Sequence, residues 1–259
     1  MIMQAHELLF ELSNPVRYEI IKFLAEEPAR LTRIGEYLHV NNPEVSRHLD
    51  RLKNAKLVEK APEGRYHLSP LGEVVLSIVP TVTLVAHNDS YFNDHDLSSL
   101  PLSFLTRLGE LSIHDLHEGV LRNIQNSGDV IKGAQKHLSI ITKEVGTEAH
   151  CFIREGMSEG VNVRVLIDDG FETPSCCLEP EFQNTIRFIP RNPVALILSE
   201  QHAVLMFPNR NGKFDFTAGY TSEDPTFLKW CTDLFTELWE KGEHLTSLSQ
   251  TAGNVKGCQ

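Results

Sequence analysis

The sequence predicts two folded parts in tandem: an α+β part of helices closed by a short hairpin, then an α/β part built on a mixed sheet. Three observations carry this reading. Between Pro15 and Leu68, helical apolar periodicities give way to two short strand-like runs around Pro62-Glu63-Gly64. From Glu118 onward, helical runs alternate with short apolar runs starting at positions 137, 161, 185, 195 and 203. Between the two lies the polar run HNDSYFNDHDLSSLP, from His87 to Pro101.

The first part reads element by element. MIMQAHELLFEL is an amphipathic helix without the basic start of a signal peptide. Ser13 to Pro28 carries a cap signal, Pro15 in the first turn, and an apolar stripe of Val16, Ile20, Phe23 and Leu24. Leu31 to Val40 is a short helix with Thr32 as its expected cap and Ile34, Tyr37 and Leu38 facing inward. His39 to Asn42 makes a tight turn. In NNPEVSRHLDRL, Asn42 is the expected cap and Pro43 suits the first helical position. Val45, Leu49 and Leu52 then form a core stripe, leaving Ser46, Arg47, Asp50, Arg51 and Asn54 outside. Leu57 to Leu68 folds back as a hairpin with Arg65 beside its tip.

Helix, short helix, turn, helix and hairpin in that order make an α+β winged helix-turn-helix. Its third helix enters the DNA major groove. Arg47 and Arg51 have the chemistry to read base edges, with Ser46 and Asn42 assisting. Thr32, Arg33, Asp50 and Asn54 complete the expected contact set, and Arg65 meets the backbone from the wing. The expected partner is double-stranded DNA.

A net charge of −11 is uneven along the chain. Residues 30–67 hold eight Lys+Arg against five Asp+Glu, whereas residues 87–259 hold 14 against 24. The basic charge thus collects on the helix-turn-helix and wing, and an acidic body helps aim that face at phosphate.

Ser69 to His87 is apolar, with a stripe of Val74, Val75, Ile78, Val82 and Val85 and an expected kink at Pro80. With the N-terminal helix it is the expected homodimer contact. The domain boundaries expected are 1–86 for the winged helix, 87–110 for a linker and connecting helix, 111–245 for the α/β domain, and 246–259 for a disordered tail. In the α/β domain, Glu118 to Lys136 is helical with a break near Gly128, Lys143 to Glu159 is a second helix, and Asp224 and Pro225 open a closing helix to Gly242. Asp168 and Asp169 end a strand, the place where α/β sheets bind ligands. With Arg187 and Arg191 they form the expected seat of a small-molecule effector.

The chain resembles the archaeal methanogenesis regulatory transcription factors over residues 5–243. SNPVRYEIIKFL, NNPEVSRHLDRL, HDLSSLPLSFLTRLGEL and the VNVRVLID, ALILSEQHAVLMFP and FLKWCTDLFTELW runs carry that likeness. It implies an ArsR/MarR-like winged helix joined to an effector domain in a transcriptional regulator. The strand–hairpin–helix ending also resembles the phospholipase D-like fold of some sugar-responsive regulators. That chemistry needs a His followed two residues later by Lys. His202 is followed at that position by Val204, and His137 by Ser139, so no fixed cation waits for the phosphoryl oxygens. The domain is therefore expected to sense and not to catalyse.

Other constellations are weaker. His114 and His117 stand beside Asp115 and Glu118, ligand-type residues that read more simply as a polar helix start or loop. Five cysteines (151, 176, 177, 231 and 258) without CxxC spacing fit a reducing cytosol, and the vicinal Cys176-Cys177 lacks a nearby cation to activate it. No 18-residue apolar run is expected to span a membrane. The overall expectation is a cytoplasmic regulator without cofactor or metal.

Overall fold

The computed structural model describes residues 4–143, 147–168 and 184–244. It divides into two units, Met1–Val82 and Thr83–Gln259. The fold class is as expected: a helical, winged N-terminal unit and an α/β unit with a large mixed sheet.

In the first unit, α1 (Ala5–Leu12) leads into α2 (Pro15–Glu26), opened by the Asn14 side chain accepting from the Arg17 N–H. The helix α3 (Leu31–Leu38) begins after Arg30 without a side-chain cap. Thr32 sits inside its first turn and is exposed, so it is not the cap the sequence suggested. The chain leaves α3 through His39 at φ +54°, then enters α4 (Asn42–Asn54). Asn41, one residue earlier than expected, is the cap: its Oδ1 accepts from the Glu44 N–H at 3.0 Å. Two adjacent asparagines before a proline leave the choice open in sequence; the extended backbone of Asn41 decides it.

Val45, Leu49 and Leu52 are fully buried together with Ile20, Phe23, Leu24 and Ile34. Tyr37, expected inward, is exposed; its ring lies tilted against Phe23, 4.6 Å between centroids. The wing is β1 (Val58–Lys60) antiparallel to β2 (Tyr66–Leu68), with Val58 opposite Leu68. Gly64 at φ +86° turns its tip, a conformation open to glycine at no steric cost.

The helix α5 (Pro70–His87) runs unbroken through Pro80. Val75 is buried in the winged-helix core and Leu84 in the core of the second unit. The 18 residues of α5 are long and apolar enough to cross a membrane by length and composition, contrary to the sequence expectation. Val74, Ile78, Val82 and Val85 lie on its exposed side.

The segment expected as a linker is instead structural. Tyr91 on α6 (Asp89–Asp94), His95, Leu100, Phe104 on α7 (Leu102–Leu105), and Leu108 and Leu111 of a 3-10 turn are all buried. They join the core formed by α10 (Pro225–Lys241) on one face of the sheet. Polar residues between these anchors hid them from sequence reading.

That sheet has seven strands in the order β3-β9-β8-β7-β4-β5-β6. They are β3 (Asp115–Glu118), β4 (His137–Thr142), β5 (Asn162–Asp168), β6 (Ile186–Ile189), β7 (Ala195–Ser199), β8 (Ala203–Met206) and β9 (Ala218–Ser222). β4, β5 and β6 run parallel, and the remaining pairings are antiparallel. The opposite face is covered by α8 (Val120–Gly133) and α9 (Thr147–Ser158). α8 continues past Gly128 without the expected break. Asp224 and Pro225 open α10 as expected, the Asp224 carboxylate accepting from the N–H groups of Thr226 and Phe227.

Candidate nucleic-acid interface

The outer face of α4 carries the polar set. Ser46, Arg47, Asp50, Arg51 and Asn54 fall within less than half a turn of helix circumference, opposite the buried Val45, Leu49 and Leu52. Arg47, Asp50 and Asn54 are exposed, Ser46 is half-buried, and Asn42 is exposed in the first turn. Arg65 is exposed beside the hairpin turn. Arg33 and Thr32 are exposed on α3, and Arg33 lies 3.9 Å from Glu27 across a solvated gap of little energetic weight.

Arg51 is different. Its Nη2 and Nε donate to the two oxygens of Glu11 at 2.5 and 3.1 Å, and its guanidinium covers the Phe10 ring at 5.5 Å. The sequence places Arg51 on the outer face of α4 with the chemistry to read base edges; the structure ties it to α1. Glu11 also holds the buried Arg17, 3.0 Å from its Nε. Arg17 donates in turn to the carbonyls of Glu11 and Phe10 at 2.6 and 2.8 Å. The hydrogen bond from Arg51 is the main reason the Glu11 carboxyl sits below the usual carboxylate range. This Arg–Glu–Arg link joins α1, α2 and α4 across 40 residues of sequence, and nothing local in the sequence announces it.

Two further residues shape α4 and its approach. Gly35 lets α3 approach the turn: a Cβ there would stand 2.9 Å from the Val40 carbonyl oxygen. An isolated glycine inside the LTRIGEYL periodicity is the signal that could have marked it. His48 is buried on α4 beside Glu44, and burial, then the nearby Arg17 and Arg47 charges, hold its imidazole below its ordinary value.

In the second unit, three of the four expected effector residues are described. Asp168 ends β5 and is half-buried. Arg187 lies on the α10 face, its Nη1 donating to the Trp239 carbonyl at 2.7 Å and its guanidinium 4.6 Å from the indole centroid. Arg191 pairs with Asp96 at 3.2 Å. Asp169 and the Cys176-Cys177 pair lie outside the described residues, as does the tail 246–259. Sequence reasoning missed Asn192. It is buried at the strand ends, where its Nδ2 donates to the Thr142 carbonyl at 2.7 Å and its Oδ1 is left without a partner.

His202 stands in the β7–β8 turn, where its N–H donates to the Ser199 hydroxyl. The position two residues on, Val204, is fully buried under α8, where no lysine could face a phosphoryl group. The residues around His114 form β3 and not a helix or loop, so His114 and Glu118 project to one side of the sheet and Asp115 and His117 to the other. Among the described residues no three His, Cys, Asp or Glu side chains gather as metal ligands.

Residues 14–60 match the family described as bacterial regulatory protein, arsR family. The first unit therefore carries an arsR-type helix-turn-helix. No curated protein matches the chain. Among solved structures, the chain is similar to TrmBL2, an archaeal chromatin protein, at 11% identity and a TM-score of 0.40, over 93% of this chain and 100% of that one. It is similar to the phospholipase D family member Nuc from Salmonella typhimurium at 11% identity and 0.38, over 51% of this chain and 97% of that one. NucT from Helicobacter pylori aligns at 8% identity and 0.42, over 51% and 98%.

Proposed function

We propose that this chain is a DNA-binding transcriptional regulator whose α4 reads base edges in the major groove. The observation that carries it is the arsR-type helix-turn-helix with Arg47, Asp50 and Asn54 exposed on the side of α4 opposite its core. In this reading Arg47 supplies the base contact, a bidentate pair worth about 1–3 kcal/mol of discrimination. Ser46, Asn42, Asp50 and Asn54 flank it, Thr32 and Arg33 approach the backbone from α3, and Arg65 grips phosphate from the wing. Arg51, held by Glu11, fixes the pose of the helix. The reading extends to a cytoplasmic homodimer, in which the exposed Val74, Ile78, Val82 and Val85 of α5 and Leu9 and Phe10 of α1 meet a second copy. It also extends to regulators of the methanogenesis type in archaea.

The α/β unit serves as a sensor and not as a phosphodiesterase. Asp168 and the unpartnered Oδ1 of Asn192 favour a small polar effector with a hydrogen-bond donor at the strand ends. The buried Val204 at the position phospholipase D chemistry gives to lysine supports the absence of catalysis.

Footprinting on promoter fragments bound by the full chain tests the proposal. Protection of two half-sites about one helical turn apart is expected from a two-fold assembly. Uniform coverage without a preferred site would overturn specific reading.

A further inference from the structure

The edge strand β3 with His114 just before it gives His114-Asp115-Leu116-His117-Glu118, a run whose acids and imidazoles mirror one another about Leu116. β3 ends the sheet and pairs with β9 alone among the described residues. The Gly119 N–H donates to the Thr217 carbonyl on the β9 side at 2.7 Å. Alternation along an extended strand puts the peptide groups of Asp115 and His117 on that same side. The N–H and C=O of Leu116 and Glu118 therefore point away from the sheet. Asp115 and Glu118 are exposed, while Leu116 and His117 are half-buried. Such a row of open peptide groups is a template for another strand.

We infer that two copies of this chain join at this edge, β3 against β3, antiparallel about a two-fold axis centred on Leu116. Leu116 then faces the partner's Leu116, Asp115 faces the partner's His117, and His114 faces the partner's Glu118. Each polar pair sets an imidazole against a carboxylate on the same face of the joined sheet. The two-fold duplicates every such pair, as an isologous contact requires. Slipping the register by one residue sets Asp115 against the partner's Glu118, or His114 against the partner's His117. Parallel pairing sets each acid against its own copy. Charges on an edge strand ordinarily keep other strands away; here they oppose the neighbouring registers and favour one. Leu116 already packs against the α10-side core, so the facing leucines extend that core across the axis.

This contact is separate from the α5 face, so the test reads β3 directly. In the full chain, mild oxidation of L116C is expected to give a disulfide-linked dimer. Facing residues of a hydrogen-bonded pair stand about 5.5 Å apart at Cα, within the span a disulfide bridges. Wild type and E118C serve as controls, because residue 118 and its own copy are separated by about 14 Å in this register. A mixture of H114C and E118C chains is expected to cross-link between variants, and these positions leave Leu116 intact should L116C fold poorly. In that mixture H117D is expected to cut the yield at least fivefold, and D115H/H117D to restore it. Absence of cross-linking in both L116C and the folded H114C/E118C mixture overturns the proposal, as does equal cross-linking by E118C alone.

Discussion

At the scale of single residues, α4 carries one arginine held by an ion pair and one that is exposed without a side-chain partner among the described residues. Arg47 is exposed, whereas Arg51 is bidentate to Glu11. If Arg51 orients α4, R51A and E11Q weaken DNA binding alike while the slope of log affinity against log salt is unchanged. If Arg65 grips phosphate, R65A lowers that slope by about one. A drop in slope for R51A would make it a phosphate ligand after all. Glu11 also ties stability to pH. Its folded carboxyl lies below the usual range, so its contribution is complete above the unfolded value of about 4.3 and is lost as pH falls through the folded value. E11Q is expected to cost about 1–3 kcal/mol at neutral pH, because the buried Arg17 loses its carboxylate. The gap from wild type should close in denaturant titrations carried below about pH 4.3. The contact was invisible in sequence because Glu11 and Arg51 are distant and each looks like an ordinary surface charge.

At the scale of elements, strongly periodic helices were legible and short pieces were not. α2, α4 and α10 announced themselves through Asn or Asp caps, a proline in the first turn and a buried stripe. The apolar strands β4, β5, β7 and β8 read directly, since buried central strands leave continuous apolar runs. β3 and β9 did not: DLHE and AGYTS lack such runs, and only their pairing with each other and with β8 makes them strands. The apolar side of α5 was legible, but its fate was not, because periodicity does not say which cover a stripe receives. Val75 and Leu84 are buried while Val74, Ile78 and Val82 remain exposed. The double variant I78E/V82E is therefore expected to keep the fold by circular dichroism. It should lower the sedimentation coefficient, leaving at most the pair joined at β3, and weaken binding to a two-fold site more than to a half-site. Unchanged sedimentation would remove α5 from the assembly.

For the whole molecule, the division of charge matches a division of labour. The basic surplus lies in residues 30–67, and the acidic surplus lies beyond residue 86. Repulsion between the acidic unit and phosphate favours approach by the winged helix, and salt screens the attraction of its basic face to phosphate, so association should slow as salt rises. If the α/β unit senses an effector, a compound that raises the melting temperature must also change operator affinity, and DNA must change the affinity for that compound by the same factor. Calorimetric titrations with and without operator measure both sides. N192A, which removes the unpartnered Oδ1, should abolish the thermal shift while leaving DNA affinity in the absence of compound intact.

In the proposed function, α4 reads sequence. That reading is tested most directly by selecting binders from a random duplex library with the full wild-type chain and R47A in parallel, then measuring the enriched duplex by fluorescence anisotropy. Wild type should enrich a two-fold sequence. R47A should bind that duplex roughly 5- to 150-fold more weakly, the equivalent of about 1–3 kcal/mol, with its affinity for unselected DNA changed far less. Enrichment of the same sequence by R47A at wild-type affinity, or no enrichment by either chain, would contradict it.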